Sequence, residues 1–290
     1  MAYDEQMATY SVHAVNLSTY PLGETDKIVT MFSAERGLLR AVAKGARKPG
    51  AKIGGRSEPL NINRLLIAKG RNLDIITQAE SIGSFPRLRH DLTRLSFALY
   101  FAELTQSFGQ GLSEESATFF EYLGLSLSRM ADSGEDPVLL SLEFELHLLE
   151  QLGYKPELTI CIACAEPMTE YRLAIFHHDA GGLVCCDCHR GKNQDSVQEH
   201  FSFEYGEGAQ SNAVLQERKY KPYAGHVTTH ITPLVWKKLV MMSSGLKHDQ
   251  PETNASEGMI RANQAARKLI QTYLEHRGSR RMKALDLIDA

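Results

Sequence analysis

Between residues 11 and 82 the apolar positions come in short runs, over 12–17, 28–32, 38–43, 64–68 and 73–78, with Gly23, Gly37, Gly45, Pro49, Gly50, Gly54, Gly55 and Gly70 between them. Short apolar runs bounded by turn residues read as strands. Five such runs in about 70 residues fit a small closed barrel, because closure removes exposed edges without a second sheet. An OB-fold is the expected form, with an SH3-like barrel as the alternative.

After Pro86 the apolar period lengthens to three and four. Leu92, Leu95, Leu99, Phe101 and Ala102 form one stripe, Phe119, Phe120, Leu123 and Leu127 a second, and Leu139, Leu142, Leu146 and Leu149 a third, so three amphipathic helices follow one another with these residues as core. Asp136 before Pro137 sets a capping carboxylate ahead of a proline at the first helical position, and Gly153 with Pro156 ends that helix. Positions 192–221 are polar and read as a long exposed connection. Helical pattern resumes at Thr232-Pro233 through Leu234, Trp236, Leu239 and Met242. After a second polar link at 248–257 it returns over 259–276 with Ile260, Leu269, Ile270 and Tyr273.

With 290 residues, 43% of them apolar and 23% charged, the chain has the makeup of a folded protein of two or three compact units. No apolar run approaches the roughly 18 to 20 residues that cross a bilayer, and positions 1–10 are polar and acidic, so a soluble, cytoplasmic protein without a signal peptide is expected. The net charge of -3 hides an uneven distribution. Positions 36–56 carry Arg36, Arg40, Lys44, Arg47, Lys48, Lys52 and Arg56 with no carboxylate, whereas positions 103–150 hold ten carboxylates against Arg129 alone. Local fields decide which surface meets an anion. The acidic helices suit a protein partner better than a nucleic acid.

All five cysteines fall between 161 and 188, as Cys161-Ile-Ala-Cys164 and Cys185-Cys186-Asp-Cys188. Two residues between thiolates form a tight turn offering two sulfurs to one tetrahedral ion, and a second such turn completes the shell, so Cys161, Cys164, Cys185 and Cys188 are expected to bind one structural Zn2+ ion. Disulfides are disfavoured in a reducing compartment. Redox chemistry at one Cys-x-x-Cys pair is disfavoured by the second pair. Cys164-Ala-Glu166 with Cys185-x-x-Cys188 resembles the zinc deaminases, but Val184 stands where they have proline, and Cys161 would close the open position that catalysis requires. Cys186 is left over, and His177, His178 and His189 are alternative ligands nearby. The expected organisation is α+β and multi-domain, with an OB-fold barrel at 1–84, an α-helical domain from 85–156 plus 230–290, a zinc-binding insertion at 157–195 and an exposed connection at 196–229.

The stretch Ala43-Lys-Gly-Ala-Arg-Lys-Pro-Gly50 joins two expected strands and puts Lys44, Arg47 and Lys48 on a glycine-containing loop able to follow a phosphate backbone. Lys69-Gly-Arg71, in a later turn, extends the patch in this reading. The loop itself offers no aromatic platform for bases, so sequence readout is not expected.

Taken in order, Tyr20-Pro-Leu-Gly-Glu-Thr-Asp-Lys27, Ala41-Val-Ala-Lys-Gly-Ala-Arg-Lys-Pro49, Leu73-Asp-Ile-Ile-Thr-Gln-Ala-Glu80, Leu152-Gly-Tyr-Lys-Pro-Glu-Leu158, the cysteine pairs with Phe176 and Gly181-Gly182 between them, and Glu275-His-Arg-Gly-Ser-Arg-Arg-Met-Lys283 resemble the RecO family of bacterial recombination mediators. The resemblance implies an OB-fold, a helical domain and a zinc-binding insertion in a protein, not an enzyme, that binds single- and double-stranded DNA and anneals complementary strands. With RecR as partner, it would help load the recombinase RecA onto strands covered by single-strand-binding protein. It places DNA binding on Lys44, Arg47, Lys48 and Arg56, and further on Arg36, Arg40, Lys69 and Arg71. Some family members lack the cysteines, which implies a scaffold role for the metal. Two other classes share features with this chain: an RNA-binding or ribosome-associated zinc protein, and a zinc-dependent deaminase or hydrolase.

Overall fold

The computed structural model describes residues 8–191, 227–245, 256–278, 282 and 284. Most of the polar connection expected at 196–229, the link at 248–255 and much of the basic motif at 279–283 lie outside the described residues, as do the first seven. The chain forms two compact units, one of Met1–Gly153 with Asp249–Thr253 and Gly278–Ala290, the other of Tyr154–His248 with Asn254–Arg277.

The first unit opens with five strands, β1 (Thr9–Leu22), β2 (Asp26–Ser33), β3 (Gly37–Ala43), β4 (Ile62–Ala68) and β5 (Asp74–Gly83), and a short helix α1 (Lys52–Arg56) between β3 and β4. They close into a barrel in the order β1-β2-β3-β5-β4, antiparallel throughout except where β3 runs parallel to β5 from Ala41↔Asp74 to Ala43↔Ile76. The expected OB-type barrel is therefore present. β1 extends well beyond its apolar run at 12–17. Its first half pairs with β4, from Thr9↔Ala68 to Val15↔Ile62, and its second with β2, from Ala14↔Ser33 to Leu22↔Asp26. Backbone pairing with two neighbours, rather than burial, makes the polar ends of β1 into strand.

Alternate residues point inward, and Val29, Met31, Leu65 and Ile67 fill the barrel beside the small Ala14, Ala41 and Ala43. Of three helices, α2 (Leu92–Phe108), α3 (Ser116–Asp132) and α4 (Pro137–Gln151), the first two cover part of its outside and α4 packs on them. The Asp91 carboxylate caps α2 by accepting from the Arg94 amide at 3.0 Å, and Asp136 caps α4 through the Val138 amide at 2.9 Å. Of the expected stripes, Phe101, Ala102, Phe119, Leu123, Leu127, Leu142, Leu146 and Leu149 are buried as core, whereas Leu95, Leu99, Phe120 and Leu139 are half-buried and Leu92, the first residue of α2, stands 73% exposed. Phe101 stacks on Phe144 at 4.1 Å, and Phe119 meets Phe32 of β2 edge-on at 5.5 Å, which locks α3 to the barrel. Among the acidic residues here, Glu135 and Glu143 both pair with Arg129, at 2.6 and 2.7 Å.

In the second unit, β6 (Leu173–His177), β7 (Gly182–Cys185) and β8 (Thr228–His230) form a three-stranded sheet in the order β7-β6-β8. A single turn, α5 (Cys186–His189), follows β7, and α6 (Pro233–Ser243) and α7 (Glu257–Gly278) complete the unit. The Trp236 indole on α6 donates to the Leu158 carbonyl at 2.8 Å, and Tyr273 on α7 packs edge-on against Phe176 at 5.3 Å. Among the described residues no helix is long and apolar enough to cross a membrane.

Phe119 is 1% exposed and touches rings from β2, α3 and α4, so Phe119→Ala should cost about 3–5 kcal/mol of stability. A denaturant titration followed by circular dichroism measures this, and a cost under about 1 kcal/mol would show that α3 does not fasten to the barrel there.

Candidate metal centre and nucleic-acid interface

The metal centre is assembled from two turns. In the first, the Ala165 amide donates to the Cys161 carbonyl at 2.8 Å and the Cys161 amide to the Glu166 carbonyl at 2.9 Å. Ala165 takes a left-handed φ of 58°, the conformation that returns the chain after Cys164. The Glu157 carboxylate braces the approach by accepting from the Thr159 amide and hydroxyl at 2.7 and 2.6 Å. In the second turn, Cys185 ends β7 and Cys188 sits on α5. The turns are joined where the Ile162 amide donates to the Leu183 carbonyl at 2.9 Å. That approach requires Gly182, because a Cβ there would stand 2.4 Å from Ile162 Cγ2.

The result brings Cys161, Cys164, Cys185 and Cys188 together, with all four Sγ atoms within 4.8 Å of one another and Cys164 and Cys185 sulfurs 3.9 Å apart. Sulfurs about 2.3 Å from a tetrahedral zinc ion stand about 3.8 Å from each other, so the cluster has the dimensions to hold a metal ion. Amides of Cys185 and Cys188 point at the Cys161 and Cys185 sulfurs, at 3.3 and 3.5 Å, which favours thiolate. Burial pushes the Cys161 and Cys188 thiols up. At Cys185 burial acts the same way but is outweighed by hydrogen bonds from the Cys188 amide and thiol, which hold it below the usual range. Four closely set thiols thus compete for negative charge, and a bound cation settles that competition.

No histidine joins this cluster among the described residues. His177 Nδ1 accepts from the Ala180 amide at 3.2 Å, His178 Nε2 bonds Thr229 Oγ1 at 2.8 Å, and His189 lies beside His230. Cys186 also stands outside it, its amide donating to the Arg172 carbonyl at 2.9 Å. Arg172 is a residue that spacing could not reveal: its Nη2 lies 3.8 Å from Cys185 Sγ, where its charge would offset the excess negative charge of four thiolates were they to hold a divalent ion.

The basic residues divide between the two ends of the barrel. The pairings make β1, β3 and β5 run one way and β2 and β4 the other. The β1–β2 turn and the β3–β4 link therefore share one end, and with them go Lys44, Arg47, Lys48 and Arg56. The β2–β3 and β4–β5 turns share the other, which carries Arg36, Lys69 and Arg71. Arg40 stands on the outward face of β3. The turn Lys69-Gly-Arg71 accordingly does not extend the Lys44 loop.

Their environments differ too. Arg47 latches its loop to the β1–β2 turn, its amide donating to the Thr25 carbonyl at 2.8 Å and its Nη1 to the Gly23 carbonyl at 2.7 Å. Asp26 holds the same loop by accepting from the Gly45 amide at 2.8 Å, a bond that with the Thr25 hydroxyl keeps its carboxyl below the usual range. Lys44 and Lys48 are exposed. Arg56 is half-buried and its guanidinium donates to the Ala79 carbonyl, while Arg36 lies over the Tyr10 ring at 4.2 Å.

Replacing Cys161 and Cys164 together by Ser should abolish metal binding and unfold the cysteine-bearing segment, whereas Cys186→Ser should change neither. Metal analysis with X-ray absorption should give four sulfur neighbours at about 2.3 Å, and three sulfurs with one oxygen would contradict the closed site. A second effect concerns pH. His178 is fully buried, and burial followed by repulsion from His276 and His177 pushes its pKa down to about 4. The unfolded chain binds that proton near pH 6.5, so stability present above about pH 6.5 drains away as pH falls toward 4. Melting temperatures across that window should fall less steeply for His178→Gln than for the unaltered chain, and identical slopes would remove His178 as the cause.

Residues 7–85 match the family model Recombination protein O N terminal, and residues 89–202 match Recombination protein O C terminal. The DNA repair protein RecO of Nostoc punctiforme is 32% identical over 295 residues, covering 97% of this chain and 96% of that protein. Its counterpart in Cyanothece sp. is 32% identical across 98% of this chain and 96% of its own length. That of Gloeobacter violaceus is 39% identical over 182 residues, 62% of this chain and 69% of that protein. With a five-stranded OB-type barrel, a helical part and a four-cysteine cluster in agreement with these likenesses, the chain belongs to the RecO family of DNA repair proteins.

Proposed function

We propose that this chain binds single- and double-stranded DNA, anneals complementary strands and, with RecR, helps load the recombinase RecA onto strands coated by single-strand-binding protein in the bacterial cytoplasm, at the nucleoid. The observation that carries the reading is the end of the barrel where Lys44, Arg47 and Lys48 stand on a loop pinned to the β1–β2 turn. Cations on a pinned loop hold phosphates without first having to be ordered. Binding one strand this way screens its charge, and a complementary strand can then approach and pair. Arg36, Arg40, Lys69 and Arg71 act as secondary phosphate partners. Arg56, with its guanidinium engaged by Ala79, contributes mainly by holding the link in shape.

In the same reading Cys161, Cys164, Cys185 and Cys188 hold one structural Zn2+ ion, which keeps their two turns together. Four sulfur ligands leave no position for a reacting water, so the metal serves shape rather than catalysis. Helices α2 to α4, rich in carboxylates, are assigned to protein partners rather than to DNA.

Lys44→Glu with Lys48→Glu tests the interface without cutting the Arg47 latch. The affinity for a single strand at low salt should fall at least tenfold, and the slope of log K against log salt should shrink by about 0.7 for each phosphate that the variant no longer neutralises. Unchanged affinity and slope would overturn the assignment.

A further inference from the structure

The cross-strand register lays out a row of side chains on the outside of the barrel. Tyr20 lies opposite Ile28, Ile28 opposite Val42, and Val42 beside Ile75. Directly opposed residues share a face, and the alternate positions Val29, Met31, Ala41 and Ala43 fill the core, so this row lies on the outer side of the barrel wall, where Val42 is covered, Ile28 and Ile75 are half-buried and Tyr20 is the exposed member. Arg40 and Lys44 stand two residues to either side of Val42, and both are exposed.

Further along the same face the helices take over. Ser18 Oγ donates to Gln106 Oε1 of α2 at 2.6 Å, and Phe32 is buried against Phe119. The cover ends before Tyr20, which is 54% exposed. A ring left in water adds little to the core. Set on a sheet among cations, it makes the combination that takes an unpaired strand, because rings stack bases while cations hold phosphates. The carboxylate of Asp26, opposite Leu22, is occupied by the Gly45 amide and the Thr25 hydroxyl. Along its length a duplex keeps its base faces stacked on one another and offers none to such a ring.

We propose that Tyr20 is a stacking platform for one unpaired base of single-stranded DNA, with the phosphates on either side of that base held by Arg40 and Lys44. This rests on the DNA-binding reading and goes beyond it by assigning selectivity for single strands to one residue, far in sequence from the basic loop.

The test measures fluorescence anisotropy of the full chain with a labelled oligothymidine and with a blunt duplex of equal length. Tyr20→Ala should weaken oligothymidine binding about 5- to 100-fold and leave duplex affinity and the salt slope of both unchanged. Tyr20→Phe should bind like the unaltered chain, and Tyr20→Leu, which keeps bulk without the ring, should resemble the alanine variant. Thermal melts establish that each variant is folded. Oligothymidine binding by Tyr20→Leu equal to that of the unaltered chain would overturn the proposal and leave DNA binding standing, as would an equal loss on strand and duplex. If the unaltered chain binds neither probe, the DNA-binding reading itself falls and takes the platform with it.

Discussion

The barrel depends on one strand serving two neighbours. β1 pairs with β4 through its first half and with β2 through its second, and the register slips between Asn16 and Ser18, where the strand must turn from one partner toward the other. Asn16 is 1% exposed at this slip, and its hydrogen bonds go to the β3–β4 link: Nδ2 donates to the Arg56 and Glu58 carbonyls at 2.7 and 3.0 Å, and its amide to the Asn61 carbonyl at 2.9 Å. Asn63 adds a bond to the same Arg56 carbonyl at 3.0 Å. Buried amides left without partners cost about 1–3 kcal/mol each, so the link has little freedom to move away. A buried polar residue in the first strand thereby holds one end of the segment whose other end, at Gly45 and Arg47, is held by Asp26 and the β1–β2 turn. The proposed DNA surface is a loop tied down at both ends.

The cysteine centre solves a different problem. Its two turns approach so closely that Gly182 must lack a side chain. Binding of a structural zinc ion is worth about 10–16 kcal/mol in small isolated domains, comparable to the stability of a whole folded domain. The centre and the basic end of the barrel belong to different compact units.

Much of this was legible in the sequence because it is local. Strand and helix periods report which face of an element meets the core, and the interior row of Val29, Met31 and Ala41 and the helix residues Phe119, Leu123 and Leu127 are where those periods put them. Two residues between paired cysteines determine the shape of a metal-binding turn, and the four thiols converge accordingly. Runs of like charge are equally visible, and so is the proline after a capping carboxylate at Asp136.

What depends on long-range pairing was not legible. That Lys69 and Arg71 sit at the opposite end from Lys44 follows from strand direction and barrel closure, which no window of sequence contains. Arg56 looks like its basic neighbours until the fold brings the Ala79 carbonyl to it, and Arg172 looks like any surface arginine until β6 sets it beside Cys185. Tyr20, some two dozen residues before the basic loop, meets the row through Ile28 and Val42 only because three strands pair in register. The sequence by itself determined the elements, their buried faces and the metal-binding turns, since these follow from spacing along the chain. Tertiary structure alone decided which charges gather and which are spent on the fold, since that depends on distances in space between residues remote in sequence.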